Sequence, residues 1–540
     1  MITETIKYPV GIQSFEKIRT EGALYVDKTG LIKQLIGKFS YVFLSRPRRF
    51  GKSLLLSTLE AYFKGKKHLF EGLEISQYED KWETYPVFHF DLSRDEASTP
   101  EKLEEYLLKQ IKKYENLYGV TIGNDVTSVG GRFGWLIEYV SLATGKGCVI
   151  LVDEYDKGIQ ETIKDQPALK RNQQLLRPFF SQLKAQDKYI KFAMVTGVAR
   201  FRHYTLFSGA NNLEDISFMK DYSAICGITF DELKVYFSQG IASLAQEYED
   251  TQEAIVNRLL QKYDGYRFSR ADVHVCNPFS LLRAFNNNSL GEYWLTSGTS
   301  KVFIDFIKHA NYDFSQIHGI WATEKRLSSL YDDNDPVPLL FQTGYLTIGE
   351  YNRDLEEYLL KIPNGEVRGA LFEDLAPTYL GITSTDGAQK ARKLRSYLMK
   401  CNLEGFVKTL DSLISKVPYP IFDKDSKENA YHLIVYCLCL AVGVDNRCEE
   451  PMADGRPDMV VFTDKYIYII EFKLDKSAES ALKQIDENGY ARPYLNDGRA
   501  IYRIGASFSS EKRNIKRWLI QPPSGEVYEI KVDTKDNPNG

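Results

Sequence analysis

The feature that most constrains the fold of this chain is residues 41–57, which read YVFLSRPRRFGKSLLLS. The apolar run at the start of this stretch predicts a buried strand, and the segment at its end is rich in good helix formers. Between them lies an arginine-rich loop that ends in Gly51, Lys52 and Ser53. A strand, a loop and a helix in this order are what a phosphate-binding P-loop requires, because loop N–H groups and the helix N-terminus then face an anion.

The loop departs from the usual P-loop pattern G-x-x-x-x-G-K-[ST] at one position, where Arg46 replaces the first Gly. We expect the ammonium group of Lys52 to reach the β- and γ-phosphates of ATP, and the hydroxyl of Ser53 to bind Mg²⁺. The alternative is a basic turn that precedes an ordinary helix. The predicted nucleotide-binding residues of the loop are Arg46, Pro47, Arg48, Arg49, Phe50, Gly51, Lys52 and Ser53.

A second stretch, residues 148–154, is an apolar run that ends in Asp153 and Glu154. The run predicts a fully buried parallel strand, and ligands of open α/β sheets bind at the carboxyl ends of such strands. We expect Asp153 to hold the water shell of Mg²⁺ and Glu154 to act as general base toward the attacking water. An apolar strand that stops at an acidic turn is the alternative, and the two motifs in the right order in one chain argue against it.

A third apolar strand is predicted at residues 189–197, and it ends near Thr196. In P-loop ATPases whose sheet inserts a strand between the two motif strands, a polar residue at this place senses the γ-phosphate, so Thr196 is a nucleotide-binding candidate. Arg200 and Arg202 follow and could stabilise transition-state charge, within the chain or across the interface of a homo-oligomer. A surface salt bridge is the alternative for either arginine. The alternation of strands and helices to about residue 200 predicts a parallel, doubly wound sheet.

A second chemical site is predicted at residues 455–473, which read GRPDMVVFTDKYIYIIEFK. Two apolar strands joined by a short polar turn carry Asp458 at the start and Glu471 and Lys473 at the end, and a period of two places Glu471 and Lys473 on one face while Phe472 points away. We expect Asp458 and Glu471 to bind Mg²⁺ and Lys473 to orient water against a scissile phosphate, as in a metal-dependent phosphodiesterase. The alternative is a hairpin with solvated charges at its mouth.

The helices predicted on either side of this hairpin, at 426–444 and 478–490, offer accessory residues. Glu428 adds a further carboxylate near the site. Gln484 and Tyr490 lie on or just after the second helix.

Composition and charge limit the kinds of binding partner and the cellular compartment that we expect for this chain. The formal net charge is −4 at pH 7, so any nucleic acid must be met by a local basic surface. The chain starts without the cationic and apolar regions of a signal peptide, and its longest apolar stretch, residues 431–444, is too short to span a bilayer. Seven scattered cysteines without zinc-ligand spacing suit a reducing compartment. We therefore expect a soluble cytoplasmic protein that does not act on membranes.

The two sites lie within a longer series of stretches that resembles one bacterial and archaeal family over nearly the whole chain. The chain resembles the AAA-ATPase-like proteins that carry a C-terminal nuclease-like domain of the PD-(D/E)XK superfamily. The stretches that carry the resemblance are FEKIRTEGALYVDKT, SRPRRFGKS, LVDEYDKGI, TGVARF with FSGANNLEDI, YDGYRFS, CNPFSLL, LLFQTGYLTI and GRPDMVVF with IIEFKLD.

The resemblance assigns roles to the positions already singled out. It maps Walker A onto residues 46–53, Walker B onto Asp153 and Glu154, and the nuclease motif onto Asp458, Glu471 and Lys473. It implies ATP binding and a nuclease fold, with a role in genome defence or mobile-element biology and without a defined substrate.

The predicted fold class is α/β in three domains. Residues 1–225 form the AAA-like P-loop ATPase domain with its parallel sheet, and residues 226–380 form a helical lid and a winged-helix-like middle region around a helix and hairpin at 339–348. Residues 381–540 form the α/β restriction-endonuclease-like domain.

Two functions stay open at this point. The first is an ATP-dependent, DNA-acting protein whose ATPase controls a metal-dependent nuclease. The second is a nucleotide-switched protein that binds nucleic acid or protein through a catalytically inactive nuclease fold. A small-molecule kinase would share the P-loop, but it would leave the C-terminal half unexplained.

Overall fold

A computed structural model of the chain describes residues 6–93, 99–162, 165–200, 207, 209–294, 319–329, 335–379, 384–414, 445–448, 457–509 and 514–531. The chain divides into two compact units. The first comprises Met1–Phe303 and Ala322–Leu359, and the second comprises Ile304–Trp321 and Leu360–Gly540. The three-domain division drawn from the sequence stays a prediction.

The centre of the first unit is a five-stranded sheet in which every neighbouring pair is parallel, in the order β2-β3-β4-β1-β5. The predicted parallel sheet is therefore confirmed, and β4 lies between the two motif strands β1 and β3, as expected for an inserted strand. The strands are β1 (Tyr41–Ser45), β2 (Val87–Asp91), β3 (Cys148–Asp153), β4 (Ile190–Gly197) and β5 (Glu214–Asp215).

Helices cover both faces of this sheet. The helices up to the end of β4 are α1 (Phe15–Thr20), α2 (Thr29–Lys38), α3 (Lys52–Phe63), α4 (Pro100–Tyr118), α5 (Val129–Thr144), α6 (Lys157–Thr162) and α7 (Gln166–Ala185). Their ends follow local rules: the side chain of Thr99 accepts a hydrogen bond from the backbone N–H of Lys102 at the start of α4, and Gly119 ends that helix in the left-handed region. Alternate strand residues such as Phe90 and Val152 pack with α4, α5 and α7, and α3 covers the other face.

A helical region follows the sheet and packs around its own apolar core. Its elements are β6 (Ile228–Thr229), α8 (Phe230–Tyr236), α9 (Ser238–Glu247), α10 (Gln252–Tyr263), β7 (Val275–Cys276) and α11 (Pro278–Asn286). Thr229 and Glu232 form a reciprocal capping box at the start of α8. Phe237 separates α8 from α9.

A small sheet follows, with consecutive strands β9 and β10 as neighbours in the order β8-β10-β9. The elements are β8 (Trp321–Thr323), α12 (Glu324–Leu327), α13 (Val337–Thr343), β9 (Thr347–Asn352) and β10 (Glu357–Lys361). A helix followed by two strands stands where the sequence predicted a helix and hairpin.

Among its described residues, the second unit contains four α-helices and a six-stranded sheet in the order β11-β12-β13-β14-β15-β16. Only β13 and β14 are parallel, and α17 connects them, as a parallel crossover requires. The elements are α14 (Gly365–Tyr379), α15 (Ser384–Met399), α16 (Leu403–Ile414), β11 (Asp445–Cys448), β12 (Met459–Phe462), β13 (Tyr466–Leu474), α17 (Ala478–Glu487), β14 (Ala500–Ser509), β15 (Asn514–Gln521) and β16 (Tyr528–Ile530). The mixed sheet agrees with the predicted nuclease-like α/β domain, while the helix predicted at 426–444 lies outside the described residues. In the parts of the chain that the structure describes, no helix has the length and apolar character needed to cross a bilayer.

Candidate nucleotide and nuclease-like sites

The predicted P-loop connects β1 to α3. Gly51 has a φ of 95°, which a residue with a side chain rarely adopts, and α3 begins at the next residue, Lys52. The backbone N–H of Arg46 donates to the carbonyl of Gly197, and the hydroxyl of Ser45 donates to the carbonyl of Val198. The start of the loop is therefore tied to the end of the inserted strand β4.

Arg46, which replaces the first Gly of the pattern, is fully buried and supports the base of the loop. Its guanidinium donates to the carbonyls of Ser45, Ser217 and Tyr222 at 2.9, 2.9 and 3.2 Å, and it lies over the ring of Phe268. Burial lowers the pKa of Arg46 to about 10. The guanidinium and the backbone N–H of Arg46 are therefore both engaged within the protein, so the direct phosphate contact predicted for Arg46 is not part of this arrangement.

The rest of the loop separates into packed residues and charged residues. Pro47 is buried, and the buried ring of Phe50 meets the rings of Tyr266 and Phe268 edge to face. The guanidinium of Arg49 is exposed and lies 4.8 Å from the ring centroid of Phe279. The loop thus owes its shape to apolar packing as well as to its glycine.

The buried ammonium group of Lys52 lies inside the loop. It donates to the carbonyls of Arg46 and Pro47 at 2.9 and 3.1 Å. Ser53 is half-buried in the first turn of α3. This placement fits a lysine that reaches from the helix into a phosphate-binding loop.

Asp153 and Thr196, predicted from separate strands, are in direct contact. The hydroxyl of Thr196 donates to Oδ1 of Asp153 at 2.6 Å, and the backbone N–H of Glu154 donates to the same oxygen at 3.0 Å. Both side chains are buried at the carboxyl edge of the sheet. The structure therefore brings together the metal-binding and sensor candidates.

Glu154 follows Asp153 with a φ of 47°, so the chain turns sharply as it leaves β3. Burial raises the pKa of Glu154, and the positive charges of Lys52 and Arg48 oppose this shift. A carboxylate with a raised pKa is a better proton acceptor near neutral pH. The strained backbone of Glu154 and its raised pKa are both compatible with the predicted role of general base.

Asp156, which the sequence analysis missed, fixes the turn that follows β4. This fully buried carboxylate accepts hydrogen bonds from the backbone N–H groups of Val198 and Ala199, and the hydroxyl of Tyr155 donates to the carbonyl of Ala199. Burial raises the pKa of Asp156. The signal in the sequence was a third acidic residue within the run DEYD, directly after an apolar strand.

Arg200 is buried within its own unit. Its Nε and one terminal nitrogen donate to Oδ2 of Asp215 at 3.0 and 2.5 Å, the other terminal nitrogen donates to the hydroxyl of Ser328 at 2.5 Å, and the guanidinium lies over the ring of Phe218. Burial alone would raise the pKa of Asp215, but Arg200 holds it below its usual value. The alternative of a surface salt bridge is wrong for Arg200, because the pair is buried.

These bonds also bear on the role of Arg200 across a subunit interface. A guanidinium that is enclosed by its own chain would have to leave Asp215 before it could reach a neighbour. The second candidate, Arg202, lies outside the described residues.

An apolar cavity of about 90 Å³ adjoins the P-loop. Phe50 and Leu55 line it from the loop and α3, and Cys226 and Leu282 line it from the helical region. Lys28 also borders the cavity, and its ammonium group is bound to both carboxylate oxygens of Glu232 on α8 at 2.6 and 2.7 Å.

The nuclease-like site of the second unit brings its three predicted residues together. Oδ2 of Asp458 accepts a hydrogen bond from the backbone N–H of Phe472 at 2.7 Å, and Oε2 of Glu471 accepts one from the backbone N–H of Asp458 at 3.3 Å. The ammonium group of Lys473 lies 3.1 Å from Oε1 of Glu471, which is 2% exposed. The solvated charges of the alternative interpretation do not fit a buried Glu471.

Helix α17 packs closely against β14, the strand that pairs with the strand carrying Glu471. Gly505 on β14 is the register partner of Glu471, and a Cβ atom at Gly505 would lie 2.5 Å from the carbonyl oxygen of Ala478. Glycine is therefore needed for the helix to pack beside the acidic residue.

The accessory residues are only partly placed. The side-chain amide of Gln484 donates to the hydroxyl of Tyr490 at 3.3 Å, and the ring of Tyr490 belongs to the core beneath α17. Glu428 lies outside the described residues. Within the described ranges, no group of three or more His, Cys, Asp and Glu residues could hold a metal ion, so their accessory role stays a prediction.

Comparison with known proteins identifies two family models and a full-length relative. A model described as "Predicted AAA-ATPase" matches residues 9–207, and a model described as "PD-(D/E)XK nuclease superfamily" matches residues 426–518. A curated protein of Azotobacter chroococcum mcd 1, titled "Uncharacterized protein in vnfD 5'region", is 32% identical over 524 residues, which cover 95% of this chain and 99% of the relative.

Proposed function

Since this chain belongs to the family of predicted AAA-ATPases that carry a C-terminal PD-(D/E)XK nuclease-superfamily domain, we propose that it hydrolyses ATP in its first unit and thereby controls a metal-dependent nuclease in its second. The observation that carries the ATPase proposal is the contact of Asp153 with Thr196 at the sheet edge that also carries the P-loop. The proposed substrate of the nuclease is DNA.

In the proposed ATP site, each residue has one task. Lys52 contacts the β- and γ-phosphates, and Thr196 senses the γ-phosphate through the hydroxyl that now donates to Asp153. Glu154 takes a proton from the attacking water, for which its raised pKa suits it. Ser53 and Asp153 offer the oxygen ligands that Mg²⁺ prefers, and the ion would neutralise phosphate charge.

The cavity beside the loop is the proposed binding site for the base of the nucleotide. Its lining is mostly apolar, and its position next to Phe50 and Gly51 is on the side of the P-loop where α3 begins. An aromatic base gains free energy when it leaves water for such a lining.

The ATPase proposal is tested by Glu154→Gln, which removes the base while keeping the shape of the side chain. We expect turnover to fall by about 10²-fold or more, with binding of ATP retained. Glu161→Gln is the matched control, because Glu161 lies on α6 in an ion pair with Lys157 near the surface. Equal turnover in Glu154→Gln and the wild type would contradict the assignment.

In the proposed nuclease site, Asp458 and Glu471 offer oxygen ligands for Mg²⁺, and Lys473 orients water toward the scissile phosphate. The carrying observation is that Lys473 and Asp458 both contact the carboxylate of the buried Glu471. A cation between such groups would also offset the cost of burying Glu471.

The nuclease proposal is tested by cleavage of single- and double-stranded DNA in Mg²⁺ or Mn²⁺, with and without ATP. We expect Lys473→Ala to abolish cleavage and Lys483→Ala, at an exposed lysine of α17, to retain it. If ATP controls the nuclease, Glu154→Gln will change the nucleotide dependence of cleavage. An unchanged dependence would contradict the control.

A second candidate function is a nucleotide-switched protein that binds nucleic acid or protein through an inactive nuclease fold. It is favoured by one observation: among the described residues, Asp458 and Glu471 are not joined by a third acidic residue, His or Cys in a metal-binding group. ATP turnover without DNA cleavage under any of these conditions would support it.

A further inference from the structure

Asp91 ends strand β2 beside the proposed nucleotide site. Its register partner on the neighbouring parallel strand is Asp153, and the backbone N–H of Leu92 donates to the carbonyl of Asp153 at 3.1 Å. Adjacent strands are about 4.8 Å apart, so the two aspartates emerge next to each other at the sheet edge.

The side chains of this pair lie on the face of the sheet that α3 covers. His89, two residues before Asp91 and therefore on the same face, has its Nδ1 at 2.8 Å from Oε2 of Glu60 on α3. Paired residues of parallel strands project to the same face, so Asp153 shares it. Because Thr196 bonds to Asp153, the row continues to β4. Helix α3 is the helix that begins at Lys52, so this row faces the P-loop helix.

Hydrogen bonds fix one oxygen of each carboxylate in the pair. Oδ1 of Asp153 accepts from Thr196 and from the backbone of Glu154, while Oδ1 of Asp91 accepts from the backbone N–H of Ser93 at 3.0 Å. Like charges directly opposite on neighbouring strands repel each other. A cation with its shell of water relieves that repulsion, and oxygen donors such as these are the ones Mg²⁺ takes, often through water.

We propose that Asp91 is a second carboxylate of the nucleotide site, which accepts hydrogen bonds from water in the magnesium–nucleotide complex held beside Asp153. The inference rests on the proposed ATP function and extends it to a strand that the P-loop and Walker motifs do not include. Asp91 acts through water, so it is a positioning residue. Its removal weakens the contribution of Mg²⁺ to nucleotide binding and leaves the contacts of the P-loop with the phosphates in place.

The test is titration calorimetry of the full chain with a non-hydrolysable ATP analogue, in Mg²⁺ and in EDTA. For Asp91→Asn we expect the affinity in EDTA to match that of the wild type, and the gain in affinity from Mg²⁺ to fall about 10- to 100-fold. Asp153→Asn is the positive control, and Asp80→Asn, at an exposed aspartate, is the matched negative control. The unchanged affinity in EDTA also shows that the variant is folded.

The outcomes separate this inference from the proposed function. If the wild type does not bind the analogue, the ATP function fails and the inference with it. If the wild type binds with a gain from Mg²⁺ and Asp91→Asn shows the same gain, the inference is overturned while the ATP function stands. An equal loss of affinity in Mg²⁺ and in EDTA would show a structural role and would also overturn it.

Discussion

Replacement of Arg200 by leucine tests whether this arginine stabilises the fold or acts in catalysis. Arg200 and Asp215 each have a side chain that is 2% exposed, and two nitrogens of Arg200 donate to Oδ2 of Asp215. Arg200→Leu leaves the Asp215 carboxylate buried without its counter-charge, which costs about 3–5 kcal/mol of unfolding free energy. Asp215 keeps its bond from the backbone N–H of Ser217 at 2.9 Å, so we expect the lower end of that range.

The loss of unfolding free energy is measured by hydrogen exchange of the β1 and β4 amides in the full chain, because exchange reports the stability of the first unit separately from that of the second. A loss of about 3 kcal/mol corresponds to about a 100-fold fall in protection. The double variant Arg200→Leu with Asp215→Leu removes both charges, and we expect it to regain most of the protection. Arg258→Leu, which breaks the more exposed ion pair with Asp250, serves as the control and should change stability by less than about 1 kcal/mol.

One result would refute this reasoning. If Arg200→Leu retained wild-type protection but lost ATP hydrolysis, and if hydrolysis returned on mixing with the Glu154→Gln variant, Arg200 would be acting across a subunit interface. The buried pair with Asp215 would then not represent its working position.

Two further predictions concern packing and pH. Gly505→Val should force α17 away from β14, because the added Cβ would lie 2.5 Å from the carbonyl oxygen of Ala478. The substitution should therefore lower the stability of the second unit by about 1–3 kcal/mol. Unchanged hydrogen-exchange protection of β13 would contradict this prediction. Burial would raise the pKa of Glu60, but hydrogen bonds from His89 and Lys64 outweigh it and lower the pKa from 4.5 to about 2. Because the pKa is lowered in the folded state, the stabilisation by Glu60 is fully present above pH 4.5 and is lost as the pH falls toward about 2. Glu60→Gln should therefore reduce the fall in unfolding free energy between these two pH values. An identical fall in the variant and the wild type would show that Glu60 does not contribute.

The sequence by itself determined the local elements and which polar residues lie at their ends. Apolar runs of strand length, each followed by polar residues, placed β1, β3 and β4 and put Asp153 and Thr196 at one edge, because parallel strands end at the same side of a sheet. A period of two likewise located the hairpin with Asp458 and Glu471. These features depend on neighbours within a few residues, which is the range over which backbone geometry and burial pattern act.

Only the tertiary structure decided what each charged side chain contacts. Arg46 and Arg200 belong to motif-like stretches, yet their guanidinium groups bind Ser217 and Ser328, which are 171 and 128 residues away along the chain. The pairing of Asp91 with Asp153 follows from the register of β2 and β3, which the alternation of apolar residues leaves open when both strands are buried. Buried charges need partners, and those partners are supplied by long-range packing rather than by the local sequence.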